Sequence, residues 1–420
     1  MTQISDVLYE GNPWWRERFR VEYKEREIYS QVKRFIKTKQ ILAFTGLRRV
    51  GKTTVMLKAI EDSISGGMDP KDILFFSFDE LKNADIREII KEYETMLNKD
   101  IRSGRHLLVL DEIQKLDGWA DKLKWIYDLY SGNTKILISG SESLFIRKSS
   151  KETLAGRIFE FKVTGLSFRE FLGFTGQIID PIGLYSRELT KRLEEFIHIQ
   201  GFPELVGTSD PLEIKKYIME GVVEKVVYKE IPELFNVRNT EALNSLLAIL
   251  MNDPGQILEH TKLAKELGIS RYSASKYLEY MEDAFLVRKL YNYSRNARKS
   301  ERSLRRYYPT IISVDLAFKQ DALYRSKVFE WLIVNQLDAK YFWRDAYKHE
   351  VDVVLEKGPK PIEIKYGGVD TEGLTAFMTK FKVNAGAIIT KEIERRIKEG
   401  PEVISLIPAY KFLLSDLMND

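Results

Sequence analysis

Cysteine is absent from this 420-residue chain, and histidine occurs only four times. The first absence excludes disulfides, thiolate metal sites and cysteine nucleophiles, and the second leaves little for a zinc site. No run of about eighteen apolar residues occurs, so no segment reads as a membrane span. The opening stretch "MTQISDVLYEGNPWWRERF" also lacks the apolar core of a secretory signal. The expected location is therefore the cytoplasm, with no membrane partner. Freedom from cysteine together with abundant Lys and Glu fits a thermophilic source. What is present, 44% hydrophobic and 30% charged residues, describes a globular protein. The length calls for about two or three cores rather than one.

The net charge is only +4, but between Ser270 and Pro309 ten Lys and Arg stand against four Asp and Glu. A basic patch of this kind suits a polyanionic partner, or is simply a solvated surface.

"ILAFT" (41–45) is a short apolar run, and "TTVMLKAIEDSI" (53–64) has apolar residues at helical spacing. Between them lie Gly46, Leu47, Arg48, Arg49, Val50, Gly51, Lys52 and Thr53, followed by Thr54. This is G-x-x-x-x-G-K-[ST] between a strand and a helix, the setting of a P-loop. The glycines let backbone N–H groups face phosphates, and the helix N-terminus adds partial positive charge. Lys52 would reach the β- and γ-phosphates of ATP, and Thr53 would ligate Mg²⁺. "HLLVLDEIQ" is an apolar strand that delivers Asp111 beside that magnesium and Glu112 to where it can polarise water. "ILFFSF" and "KILISG" fit the same sheet, and the second ends in Ser139, placed to sense the γ-phosphate. "RIFEFKV" (157–163) supplies a fifth strand.

The pieces "GLRRVGKTT", "LLVLDEIQ", "ILISGSES", "LAGRIFEF", "LSFREFL" and "GFPE" resemble AAA+, STAND-like ATPases of a largely archaeal and bacterial group that carries a C-terminal DUF4143 region. That resemblance implies an arginine finger at Arg157, just before the fifth strand. A finger acts on a neighbour's nucleotide and so implies a homo-oligomer; the alternative for Arg157 is a surface salt bridge. Residues 166–239 read as helices, the usual place for a lid after the core.

"EALNSLLAILMN", "HTKLAKELGIS" and "SRYSASKYLEYMEDAFLVRKLYNYS" have the rhythm of a winged helix-turn-helix. Gly268 makes the turn and Ser270 caps a helix that carries Arg271, Tyr272, Ser273 and Lys276 early, where a recognition helix meets DNA. A basic string follows at Arg295, Arg298, Lys299, Arg302, Arg305 and Arg306, mixed with Tyr293, Tyr307 and Tyr308, which can stack on bases or merely pack. Winged helices also serve as packing modules. "SKYLEYMEDAFL" resembles the opening cadence of the DUF4143 region.

In "HEVDVVLEKGPKPIEIKYGG" a Gly-Pro turn joins two strands as antiparallel neighbours. Glu363 and Lys365 share one face, and Asp352 can converge with Glu363 on a hard metal ion such as Mg²⁺. An ion-paired sheet face is the plain alternative. With Glu330 on the preceding helix, the set Glu330, Asp352, Glu363 and Lys365 resembles the PD-(D/E)xK nuclease fold. One departure is Ile362, where a further acid would help a second metal.

The expected fold class is α/β: a P-loop ATPase core of the ASCE kind with an N-terminal helical segment (1–165), a helical lid (166–239), a winged helix with its basic segment (240–309), and a nuclease-like α/β domain (310–420). The expected activity is ATP hydrolysis coupled to remodelling, translocation on or processing of duplex or branched DNA. The rival is a nucleotide-set regulatory switch whose C-terminal part binds a partner without cutting DNA.

Overall fold

Five apolar runs build the first sheet: β1 (Ile41–Thr45), β2 (Ile73–Ser77), β3 (His106–Asp111), β4 (Thr134–Gly140) and β5 (Ile158–Lys162). The order is β2-β3-β4-β1-β5, with every pairing parallel. β1 and β3 are buried along their whole length, as strands covered on both faces must be. The helices α1 (Ile4–Gly11), α2 (Glu27–Phe35), α3 (Lys52–Ser65), α4 (Ile86–Leu97) and α5 (Trp119–Tyr130) belong to the same compact unit, which ends at Gly165. The computed structural model describes residues 3–140, 152–176, 181–356 and 358–415. The "SES" end of the "ILISGSES" motif lies outside the described residues.

The outer edge of β2 is occupied by the N-terminal segment. Asn12 donates from Nδ2 to the Phe75 carbonyl at 2.8 Å, and its Oδ1 accepts the Phe75 N–H at 2.7 Å. The indole N–H groups of Trp14 and Trp15 both donate to the Ile73 carbonyl, at 3.2 and 2.8 Å. The backbone groups of an edge strand are thereby satisfied within the chain rather than offered to another one.

The second compact unit runs from Leu166 to the C-terminal end of the chain. It begins with helices Phe168–Phe174 and Ser186–Ile199, and continues through helix Pro211–Ile218 into two π-helical stretches, Met219–Val223 and Val226–Glu230. Among the described residues ten more strands form two sheets. β6 (Gln256–Ile257), β7 (Val287–Asn292), β8 (Arg305–Pro309), β9 (Tyr341–Arg344) and β10 (Glu350–Val351) lie in the order β10-β9-β7-β8-β6. β11 (Val353–Leu355), β12 (Lys360–Lys365), β13 (Ala385–Thr390), β14 (Arg395–Glu399) and β15 (Glu402–Pro408) lie in the order β11-β12-β13-β15-β14. The segments 166–239, 240–309 and 310–420 share this unit, and the sheet crosses position 309/310 because β7 pairs in parallel with β9.

Helix Glu372–Phe381 covers the last sheet. Its Leu374, Phe377 and Met378 are buried with Trp343, Val354, Ile388, Ile404 and Leu406. Gly373 lets the helix approach β10 closely: a Cβ there would lie 2.1 Å from the Glu350 carbonyl oxygen.

Candidate functional site

Parallel strands present their C-terminal ends on one edge, which is where such sheets bind ligands. The turn after β1 begins at Gly46 (φ 148°), where a Cβ would sit 2.0 Å from the Val163 carbonyl oxygen, so no side chain fits. Leu47 and Val50 are buried, Arg48 and Arg49 half-buried, and Gly51 (φ 94°) leads into α3. Lys52, 5% exposed, donates from Nζ to the carbonyls of Gly46 and Leu47 at 3.0 Å each. Its charge is therefore centred within the loop whose N–H groups would face phosphate. Thr54 is exposed on the first turn of the helix.

On the neighbouring strand ends, Thr53 Oγ1 donates to Asp111 Oδ2 at 3.0 Å. Ser139 Oγ donates to the other Asp111 oxygen and accepts the Glu112 N–H at 3.1 Å. Glu112 takes a left-handed conformation (φ 54°), a strained setting for a non-glycine residue, and accepts from Gln114 Nε2 at 2.5 Å. Thr53, Asp111, Ser139 and Glu112 thus form one connected chain of groups from three elements. A hydroxyl beside a carboxylate is a hard-oxygen donor pair, and it fits the magnesium of a bound nucleotide. Sequence reading missed Arg26. It is buried and donates to the Val50 and Thr164 carbonyls, both at 2.8 Å, bracing the loop from the side. A contact across 24 residues leaves no local signal.

Arg157 stands at the opposite edge of the sheet. Its carbonyl accepts the Ile41 N–H at the start of β1, and its Nε pairs with Asp128 of α5 at 3.0 Å. A five-residue strand spans roughly 17 Å, so Arg157 cannot reach the nucleotide loop of its own chain.

In the second unit, the expected acid set comes together. Glu363 Oε1 pairs with Lys365 at 2.8 Å, and Asp352, between β10 and β11, accepts the Ile364 N–H at 2.9 Å. Glu330 accepts from the Tyr308 hydroxyl at 2.5 Å. Burial and then repulsion from Asp352 push the Glu330 carboxyl up; the same two causes, opposed by Lys365, push Glu363 up.

The metal expected at Asp352 and Glu363 would rest on two carboxylates close enough to repel each other. Among the described residues no group of three or more His, Cys, Asp or Glu is arranged to hold a metal ion. Lys365 pairs with Glu363, and the cation facing the other acids is Arg306, whose guanidinium contacts Glu330 at 3.2 Å, Asp352 at 3.3 Å and Glu350 at 2.6 Å. Burial would push its pKa down, but Tyr308 and the carboxylates of Glu330, Asp352 and Glu350 reverse this and raise it. Sequence reading placed Arg306 in a basic string suited to phosphates, left Tyr308 open between stacking on bases and packing, and overlooked Glu350.

The rest of that string divides. Arg295 is exposed, and its Nη2 donates to the Phe381 carbonyl at 2.6 Å, at the end of helix Glu372–Phe381. Arg305 donates to the Glu301 carbonyl and lies over the Tyr291 ring. Tyr307 and Tyr308 are buried, and Tyr293 packs on Phe377 and Phe381, so these rings pack rather than offer stacking faces. Arg298 and Lys299 are exposed on the short helix Ala297–Arg302, and of Arg302 only the backbone is described. On helix Arg271–Asp283, capped by Ser270 on the Ser273 N–H, Arg271 and Tyr272 are exposed, Tyr272 at 73%. Lys276 pairs with Glu279 at 2.8 Å.

A parallel five-stranded sheet, a glycine-bounded loop closing on Lys52, and an Asp-Glu pair on the adjacent strand end define a nucleotide-dependent P-loop ATPase. The chain carries an AAA domain, matched by the AAA_14 model over residues 38–172, followed by a DUF4143 domain over residues 322–412. A domain of unknown function, DUF8612, matches residues 190–313 between them. An uncharacterized protein of Haemophilus influenzae is 28% identical over 276 residues, 64% of this chain and 66% of that protein. Two uncharacterized proteins of Methanocaldococcus jannaschii are 27% identical over 332 residues (75% of this chain, 72% of the relative) and 25% identical over 418 residues (92% and 85%). A solved Pif1 helicase from Candida albicans is 15% identical and covers 40% of this chain and 48% of that one with a TM-score of 0.26, a likeness too slight to carry anything over. Among the described residues no helix is long and apolar enough to cross a membrane.

Proposed function

We propose that the chain hydrolyses ATP and uses the nucleotide cycle to change its hold on DNA. The observation that carries the first half is the linked set Thr53, Asp111, Ser139 and Glu112 at the end of the phosphate loop. Lys52 binds phosphate, Thr53 and Asp111 hold the nucleotide's magnesium, and Glu112 orients and deprotonates the attacking water. Magnesium bound there neutralises charge on the phosphate oxygens.

For the DNA half, helix Thr240–Asn252, β6, helices His260–Glu266 and Arg271–Asp283, and the β7–β8 ribbon follow one another in winged-helix order, with β8 between β6 and β7. The exposed start of helix Arg271–Asp283 supports groove contact by Arg271, Tyr272 and Ser273, with Lys276, Arg298 and Arg305 beside phosphates. The nuclease-like set Glu330, Asp352, Glu363 and Lys365 is read as part of a DNA-gripping fold that does not cut. A homo-oligomer, in which Arg157 of one chain serves the nucleotide of the next, belongs to the same reading.

The test is the ATPase rate with single-stranded, duplex and branched DNA. Stimulation by one of them supports a DNA-linked motor. Slow turnover indifferent to all three favours a nucleotide-set switch whose second unit binds a different partner.

A further inference from the structure

Three carboxylates from two elements, Glu330 of helix Ala322–Gln336 and Glu350 and Asp352 at the β10 end, surround one guanidinium. Arg306 comes from β8, paired on either side with Leu290 of β7 and Ile257 of β6, so its backbone is held by two ladders. Nη1 divides between Glu330 and Asp352 while Nη2 takes Glu350, and the guanidinium lies 5.5 Å from the centre of the Phe342 ring. Tyr308 donates to Glu330, and its oxygen accepts from Arg306 at 3.1 Å. The planar fork of an arginine suits this role because it spans several acceptors at N–H···O distances. A magnesium ion would instead need oxygens drawn in to about 2.1 Å, which the guanidinium prevents. One acid oxygen is left over: Glu363 Oε2 is buried without a hydrogen-bond partner.

We propose that Arg306 is the resident cation of this cluster, standing where a divalent metal would otherwise sit, so that the C-terminal sheet excludes metal while Arg306 is present and acquires a divalent-cation site when it is removed. Asp352 and the spare oxygen of Glu363 are the first ligands such an ion would find. The same contacts fasten β8 of the ribbon to β10 and to helix Ala322–Gln336. The proposal concerns metal alone and does not depend on the ATPase or DNA readings.

The experiment is Mn²⁺ binding followed by electron paramagnetic resonance on the nucleotide-free full chain, with Asp111→Asn throughout to silence the nucleotide site. The parent is expected to leave the Mn²⁺ signal that of the free ion. Arg306→Gln is expected to bind one ion, to melt at a higher temperature with Mn²⁺ than without it, and to lose both effects when Asp352→Asn is added. Mn²⁺ bound by the parent and released by Glu363→Gln would overturn the proposal. So would a folded Arg306→Gln chain that binds none. If Arg306→Gln does not fold, the double variant Arg306→Gln, Glu350→Gln, which removes one charge of each sign, carries the same two readings.

Discussion

Thr53 and Asp111 lie 58 positions apart in the chain and share a hydrogen bond of 3.0 Å between the hydroxyl and the carboxylate. This contact joins the first turn of α3 to the end of β3 and brings together the two groups proposed to hold magnesium. Lys52→Ala is expected to lose nucleotide affinity, because the phosphates lose their main cation. Glu112→Gln should keep binding and slow turnover by roughly 10²–10⁴-fold, since only the water-activating group is gone. Labelled-nucleotide binding and phosphate release, measured on each variant, separate the two effects. Unimpaired phosphate release by Glu112→Gln would remove this residue from the mechanism.

Arg157 is expected to matter only between chains, since it sits on the edge of the sheet away from its own phosphate loop and pairs there with Asp128. Arg157→Ala and Glu112→Gln, each inactive alone, should recover part of the ATPase activity when mixed. If mixtures stay inactive while light scattering shows a monomer with ATP and DNA present, Arg157 is only a surface ion pair.

Affinity for DNA should fall steeply with salt, because phosphate contacts release counterions. Lys276→Ala combined with Arg298→Ala should weaken binding and flatten the salt dependence by about one ion per lost phosphate contact. Arg295→Ala should change the slope less, because the Phe381 carbonyl holds one end of its guanidinium away from a phosphate. Fluorescence anisotropy across a salt series distinguishes them, and an unaltered slope in the Lys276/Arg298 variant would move the DNA site elsewhere.

Asp283 offers a pH prediction. Burial, then the nearby Glu279 and Glu282, push its carboxyl up to about 6 against the opposing pull of Lys289 and Lys276. A raised acid binds its proton more tightly folded than unfolded. Its contribution is therefore fully present below the ordinary carboxyl range and is lost as pH rises through about 6. Asp283→Asn should accordingly be more stable than the parent at about pH 7.5, by about 1 kcal/mol after allowing for solvent screening. The difference should close below about pH 4. Urea unfolding at the two pH values checks it, and a variant less stable at the higher pH would show that Asp283 is held ionised by its lysines.

The nucleotide loop was legible because its chemistry is contiguous: eight residues from Gly46 to Thr53 carry the turn, the cation and the helix start together. Asp111, Glu112 and Ser139 were legible because each ends an apolar strand, and parallel strands bring such ends to one edge. The acid set was legible as spacing on one face, Glu363 beside Lys365. Its counter-ion was not, because Arg306 is 24 residues before Glu330 and 46 before Asp352. Arg26 escaped notice for the same reason. Charge counting also gave no sign that Arg306 is turned inward, since composition cannot tell a guanidinium facing solvent from one facing protein acids. Arg306 is spent on the protein itself, while Arg295, Arg298 and Lys299 are exposed cations among the described side chains.

The pairing of β7 with β9 has a mechanical consequence. Because one sheet runs from β6 through β8 and β7 to β9 and β10, tension applied to the ribbon is carried as shear across backbone hydrogen bonds rather than absorbed by a tether. A chain cut after Pro309 would strip β7 of its outer neighbour and leave a raw row of amides ready to zip onto another molecule. The ribbon and the C-terminal strands are in that sense one tool, and a fragment made by dividing them at 309/310 would be a sticky piece rather than a smaller working part.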